Sequence, residues 1–203
     1  HREMGALATG LLVASFLLFG VLGQVTLYLG VSIAALSALY SLPQFDWKAR
    51  PLLNSLDHLA GGALHFLLGY SLGNGLDRRG LLVGTFFAVT FAAGHLTQEI
   101  RDYDGDAQNG TTTNAVAFGK RRTFAASVAL FTLSHALLLL LALQGLLPRA
   151  LAGLVVLYPL QLVWSLRASR DGLTYASISR LQTRYRALYA VVGAAVVAAL
   201  WLA

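Results

Sequence analysis

An all-α, polytopic membrane bundle is the fold class that three observations predict. Of the 203 residues, 57% are hydrophobic and only 12% charged, against roughly 25% charged in soluble domains. The mean hydropathy is +0.65. Uncharged runs close to the ~20 residues needed to cross a bilayer recur from one end of the chain to the other. No stretch remains for a soluble domain, so residues 1–203 read as a single transmembrane domain. There are no cysteines, which excludes disulfides and thiolate-bound metal.

The first run, Met4 to Phe45, carries no charge and is too long for one span, and Gly23-Gln24 near its middle supplies a turn. It reads as a hairpin of two helices. Further uncharged runs cover Leu59 to Leu76, Gly80 to Gln98 and Thr123 to Leu147, each closed by charge, Gly or Pro. The sixth, Ala150 to Leu166, contains Pro159, expected to kink the span without breaking it. Ala187 to Ala203 is the seventh. The chain begins at His1 with no secretory signal pattern, so it reads as a segment of something longer.

Seven crossings place residues 46–58, 101–122 and 167–186 on the same side as the start of the chain. Lys48, Arg50, Arg101, Lys120, Arg121, Arg122, Arg167, Arg170, Arg180, Arg184 and Arg186 lie there with Arg2, against Arg78, Arg79 and Arg149 opposite. By the positive-inside rule that side is cytoplasmic. The formal charge of +6 is thereby assigned to topology and to anionic lipid or substrate rather than to nucleic acid.

One polar passage interrupts the apolar pattern: EIRDYDGDAQNGTTTNAVAFG, Glu99 to Gly119, which holds four of the nine acidic residues. On a helix Glu99, Asp102 and Asp106 fall at i, i+3 and i+7, within roughly 60° of one another, while Asp104 points away. Carboxylates so close repel unless a cation lies between them, and oxygen ligands favour magnesium or calcium. An EF-hand loop does not fit, because Ala107 and Thr113 stand where Gly and Glu are required. The plainer alternative is a helix leaving the membrane into a solvated turn marked by Asp-Gly and Asn-Gly, which leaves the shared face unexplained.

The loop YSLPQFDWKARP, Tyr40 to Pro51, combines hydroxyls at Tyr40 and Ser41 with cations at Lys48 and Arg50. These groups can grip an anionic headgroup, although Tyr, Trp and Lys at a span end also serve as interfacial anchors. His65, His95 and His135 lie in different runs, where hydrogen bonding between helices is the ordinary role. His95, one turn before Glu99, is the one placed to reach the acidic site.

Tyr40-Ser41-x-Pro43, with Lys48 eight residues after the tyrosine, two further runs, and then Arg101, Asp102, Gly105, Asp106, Gly110, Thr113, Ala115, Val116 and Gly119 form a pattern that resembles the UbiA superfamily of membrane prenyltransferases. The resemblance covers the whole chain, whose seven runs resemble the last seven of the family's nine helices; the first helix pair would precede His1. It implies a helical bundle around a cavity that takes a prenyl diphosphate, held through magnesium by two Asp-rich motifs, and a lipophilic acceptor. Asp102 and Asp106 would be the second motif, the catalytic and metal-binding pair, with Glu99 in support. Lys48, Tyr40 and Ser41 would contact the diphosphate, with Arg101 a further candidate. The first motif would lie upstream, so residues 1–203 alone are expected to bind magnesium diphosphate weakly and to catalyse nothing measurable. Thr112 stands where many members have a basic residue and Glu99 where Asp is frequent.

Two other classes are compatible with a polytopic chain: an ion-coupled transporter and a non-catalytic prenyl-lipid-binding protein. The runs carry no charge at their centres and no paired Gly/Pro interruption, which argues against the transporter.

Overall fold

A computed structural model describes residues 2–73 and 75–201; Leu202 and Ala203, the end of the seventh run, lie outside them. Among the described residues all regular structure is helical: α1 (Arg2–Leu22), α2 (Gln24–Ser41), α3 (Leu53–Tyr70), α4 (Arg78–Gln108), α5 (Asn114–Phe118), α6 (Lys120–Leu143), α7 (Tyr158–Arg170) and α8 (Tyr175–Trp201). Short 3-10 segments at Trp47–Ala49 and Arg149–Leu157 precede α3 and α7. The predicted hairpin is present, with its turn at Gly23.

Each of the seven runs corresponds to a long helical segment. Among the described residues five segments are long and apolar enough to cross a membrane: Glu3–Leu22, Gln24–Ser41, Arg78–Gln108, Lys120–Leu143 and Arg149–Arg170. α3 and α8 correspond to the remaining two runs and are not among those five. α3 carries Asn54, Asp57, His58 and His65, and α8 carries Arg180, Arg184 and Arg186.

Two expectations need correction. Pro159 does not kink a continuous α-helix; it sits in the first turn of α7, where the 3-10 segment ends. Its missing N–H costs nothing there, because first-turn amides have no intrahelical partner. Residues 167–186 are not an open connection either. α7 runs to Arg170 and α8 begins at Tyr175, extended toward the loop by Ile178, Leu181, Tyr185, Leu188 and Val192. These buried positions recur at helical spacing.

α4 is the central element, packed against α3, α5, α6 and α8. Its approach to α3 depends on Gly62, where a Cβ would stand 2.8 Å from the Phe91 Cβ and 3.0 Å from the Ala88 Cα. With 31 residues, α4 is roughly 46 Å long, well beyond the ~30 Å hydrocarbon core. The apolar part ends near Gln98, so Glu99 to Gln108 project past it. A core of Ile100, Phe131, Ile178, Leu181 and Tyr185 holds that projection against α6 and α8, and a second core around Phe86, Leu138 and Leu188 closes the opposite end.

Candidate active site

α4 does carry Glu99, Asp102 and Asp106 on one helical run, as the spacing predicts. Their surroundings differ sharply. Glu99 is only 3% exposed, and both of its oxygens are occupied. Oε1 accepts from His95 Nε2 at 3.0 Å, Asn54 Nδ2 at 2.9 Å and Asn114 Nδ2 at 2.9 Å, and Oε2 accepts from the Ala115 amide at 3.2 Å. A buried carboxylate is tolerated only when so satisfied. Glu99 therefore ties α3, α4 and α5 together.

Its partners extend the network into the Lys48 loop. Asn54 also donates to the Lys48 carbonyl at 3.1 Å, and Asn114 accepts from the Leu52 amide at 2.9 Å and donates to Ser55 Oγ at 3.0 Å. The two motifs that are distant in sequence are thus joined through Glu99. The His95 ring stacks on His58, centroids 3.4 Å apart and 13° from parallel, and the Tyr40 ring meets His58 edge-on at 5.3 Å. His58 Nδ1 lies 2.9 Å from the Asn54 carbonyl, so it carries the proton.

Asp102 is 44% exposed, and both of its oxygens accept from the neighbouring Arg101, from Nε and Nη2, each at 2.7 Å. Arg101 Nη1 donates to Gln182 Oε1 on α8 at 3.1 Å. Asp106, beyond the apolar part of α4, has only a long contact from Thr113 Oγ1 at 3.5 Å. Burial, and then the charges of Asp102 and Glu99, raise its carboxyl above the ordinary aspartate value. Asp104 points away, as predicted, and meets Lys120 at 3.3 Å. Ser41 and Lys48 are exposed.

Among the described residues no group of three or more His, Asp or Glu side chains is arranged to hold a metal ion. The donor set nonetheless fits magnesium: Asp102 and Asp106 are partly exposed carboxylates one turn apart, and magnesium is commonly held by one or two carboxylates, substrate phosphates and water. Glu99 Oε1 already accepts three hydrogen bonds and Oε2 one.

Below the carboxylates lies a cavity of about 690 Å³ between α3, α4, α6 and α8, walled by Phe66, Phe87, Phe91 and Phe131, with His95 and Gln182 also in its lining. Phe87, Phe91, His95 and Gln98 form a stripe along α4 that continues, one turn later, as Arg101 and Asp102. An apolar chamber thus leads to the acidic site, and Gln182 touches both.

Asn54, Asn114, Gln182 and Arg186, the last also lining the cavity, are site residues that sequence reasoning missed. The spacing of Gln182 and Arg186, one helical turn, was the available signal, hidden because that stretch reads as a loop.

Neither a curated protein nor a solved structure matches the chain. The model of the UbiA prenyltransferase family matches residues 1–180, a range that contains the Tyr40 loop, the Glu99-to-Gly119 passage and most of the cavity wall. The chain belongs to the UbiA prenyltransferase family.

Proposed function

We propose that the protein transfers a polyprenyl group from its diphosphate to a lipophilic acceptor at the end of the 690 Å³ cavity nearest Asp102. The observation that supports this reading most strongly is the continuous α4 stripe, which leads from phenylalanines suited to an isoprenoid tail to carboxylates and a guanidinium suited to a diphosphate. Asp102 and Asp106 would hold magnesium, which when bound supplies charge neutralisation to a departing diphosphate. Glu99 contributes by fixing the helices rather than by offering free oxygens.

In the reaction the allylic carbon–oxygen bond breaks, its electron pair leaves with the diphosphate, and the acceptor forms the new carbon bond and loses a proton. Arg101 and Lys48 donate to the diphosphate oxygens, stabilising charge that grows as the bond breaks. The bidentate Arg101–Asp102 pair opens on binding, which turns the guanidinium toward phosphate and frees the carboxylate. Tyr40 and Ser41 add hydroxyl contacts at the mouth. The aromatic walls exclude water from the allylic carbon. The carboxylates face the cytoplasm, the side given by the excess of Lys and Arg.

The test is the intact protein reconstituted in lipid with labelled prenyl diphosphate, magnesium and a panel of aromatic and alcohol acceptors. Appearance of label in one acceptor with stoichiometric diphosphate release supports the proposal. Movement of a solute without bond cleavage would instead identify a transporter.

A further inference from the structure

A second polar recess lies between α7 and α8, away from the acidic site, and is lined by Trp164, Arg167, Asp171, Ser177, Arg180 and Arg184. Its volume is about 130 Å³, the liquid volume of about four waters, room for a phosphate group. On α8 the recess residues Ser177, Arg180 and Arg184 share one face, and the cavity residues Gln182, Tyr185, Arg186 and Tyr189 share another. Helical periodicity separates the centres of these faces by roughly 155°. The recess is therefore not a branch of the prenyl cavity.

Three arginines and a single carboxylate line the recess. Asp171 meets Arg180 at 3.5 Å with both side chains more than half exposed, and Arg167 and Arg184 have no carboxylate partner among the described residues. Arg184 lies over the Trp164 ring, 5.7 Å from its centroid, a cation–π contact that holds the guanidinium in place. Setting topology requires positive charge on this side of the membrane. It does not require three arginines from two helices to meet at one recess backed by an indole.

The apolar surface beside the recess indicates the occupant. Leu160 and Val163 are exposed and precede Arg167 by seven and four residues, so they form a lipid-facing stripe on α7 that ends at the guanidinium. We propose that this recess binds the phosphate of an anionic phospholipid, with its acyl chains along Leu160 and Val163, independently of prenyl transfer. Arginine's planar fork suits phosphate, and Trp164 suits the headgroup level of a bilayer.

The experiment is thermal unfolding of the intact protein in neutral detergent, titrated with phosphatidylglycerol, phosphatidylcholine or inorganic phosphate. Phosphatidylglycerol is expected to raise the melting temperature saturably, whereas the other two do not. Arg167→Gln with Arg184→Gln should weaken half-saturation roughly thirtyfold, and Arg184→Gln alone roughly fivefold, with prenyl transfer in saturating phosphatidylglycerol unchanged. If the double variant does not fold, the single variant decides. Equal stabilisation by inorganic phosphate, stabilisation by phosphatidylcholine, or an unchanged half-saturation in Arg184→Gln overturns the proposal.

Discussion

Arg101 holds both carboxylate oxygens of Asp102 at 2.7 Å while its remaining nitrogen reaches Gln182 on α8. In the proposed reaction a cation and a carboxylate that would act separately are held together as a neutral, partly exposed pair near an apolar cavity. A partly exposed pair of this kind contributes modestly to stability, so opening it is inexpensive.

Replacing Arg101 should therefore affect substrate binding more than folding. Arg101→Ala is expected to raise the KM for prenyl diphosphate roughly 10- to 100-fold, the worth of one lost charge-assisted contact, with melting almost unchanged. Arg101→Lys should recover part of the loss but not the forked geometry. Steady-state kinetics on the two variants checks this, and loss of folding in Arg101→Lys would show that the pair is structural.

Glu99 is expected to behave in the opposite way. Glu99→Ala leaves His95, Asn54, Asn114 and the Ala115 amide without their shared acceptor and should cost on the order of 3 kcal/mol or more. Glu99→Gln retains an acceptor oxygen and should cost less. Chemical unfolding of both variants measures the difference. Similar stability in both variants and wild type would remove the anchoring role.

Gly94 and Gly62 line the same cavity but should respond differently to substitution. A Cβ at Gly94 meets nothing within 4 Å, whereas one at Gly62 runs into Phe91 and the α4 backbone. Gly94→Leu should fold and fill part of the chamber, shifting preference toward shorter prenyl diphosphates. Gly62→Leu should separate α3 from α4 and lose stability. Chain-length selectivity and thermal unfolding distinguish the two outcomes.

Asp106 carries a stability cost that depends on pH. Its folded-state carboxyl is raised, by burial first and then by the Asp102 and Glu99 charges, so the native state holds that proton more tightly than the unfolded chain. The stability linked to it is present below the unfolded value, ~3.9, and is lost as pH rises through the raised folded value. Asp106→Asn should accordingly melt higher than wild type at neutral pH, and the gain should vanish in acid. Melting curves across pH check the sign.

Much of this architecture is legible in the sequence because uncharged runs and the i, i+3, i+7 acidic spacing are local patterns. The hairpin break at Gly23 and the helical register of Glu99, Asp102 and Asp106 are both of this kind. What was not legible depends on partners distant in the chain. Glu99 shares a face with the two aspartates, yet Asn54 and Asn114, 45 residues before it and 15 after it, draw it into the interior. Residues 175–186 read as a loop because their arginines break the apolar run, although Ile178, Leu181 and Tyr185 already marked a buried helical face. Pro159 reads as a kink because the 3-10 segment before it leaves no compositional trace.

The most direct measurement is magnesium-dependent diphosphate release by the intact, reconstituted protein and by its Asp102→Asn and Asp106→Asn variants. Asparagine keeps the volume of each side chain while removing the charge that would hold the metal. Both variants are expected to fold and insert as wild type does but to release diphosphate at least 100-fold more slowly, on the order of a lost transition-state electrostatic contact. Wild-type turnover in either variant would contradict the proposed roles of Asp102 and Asp106.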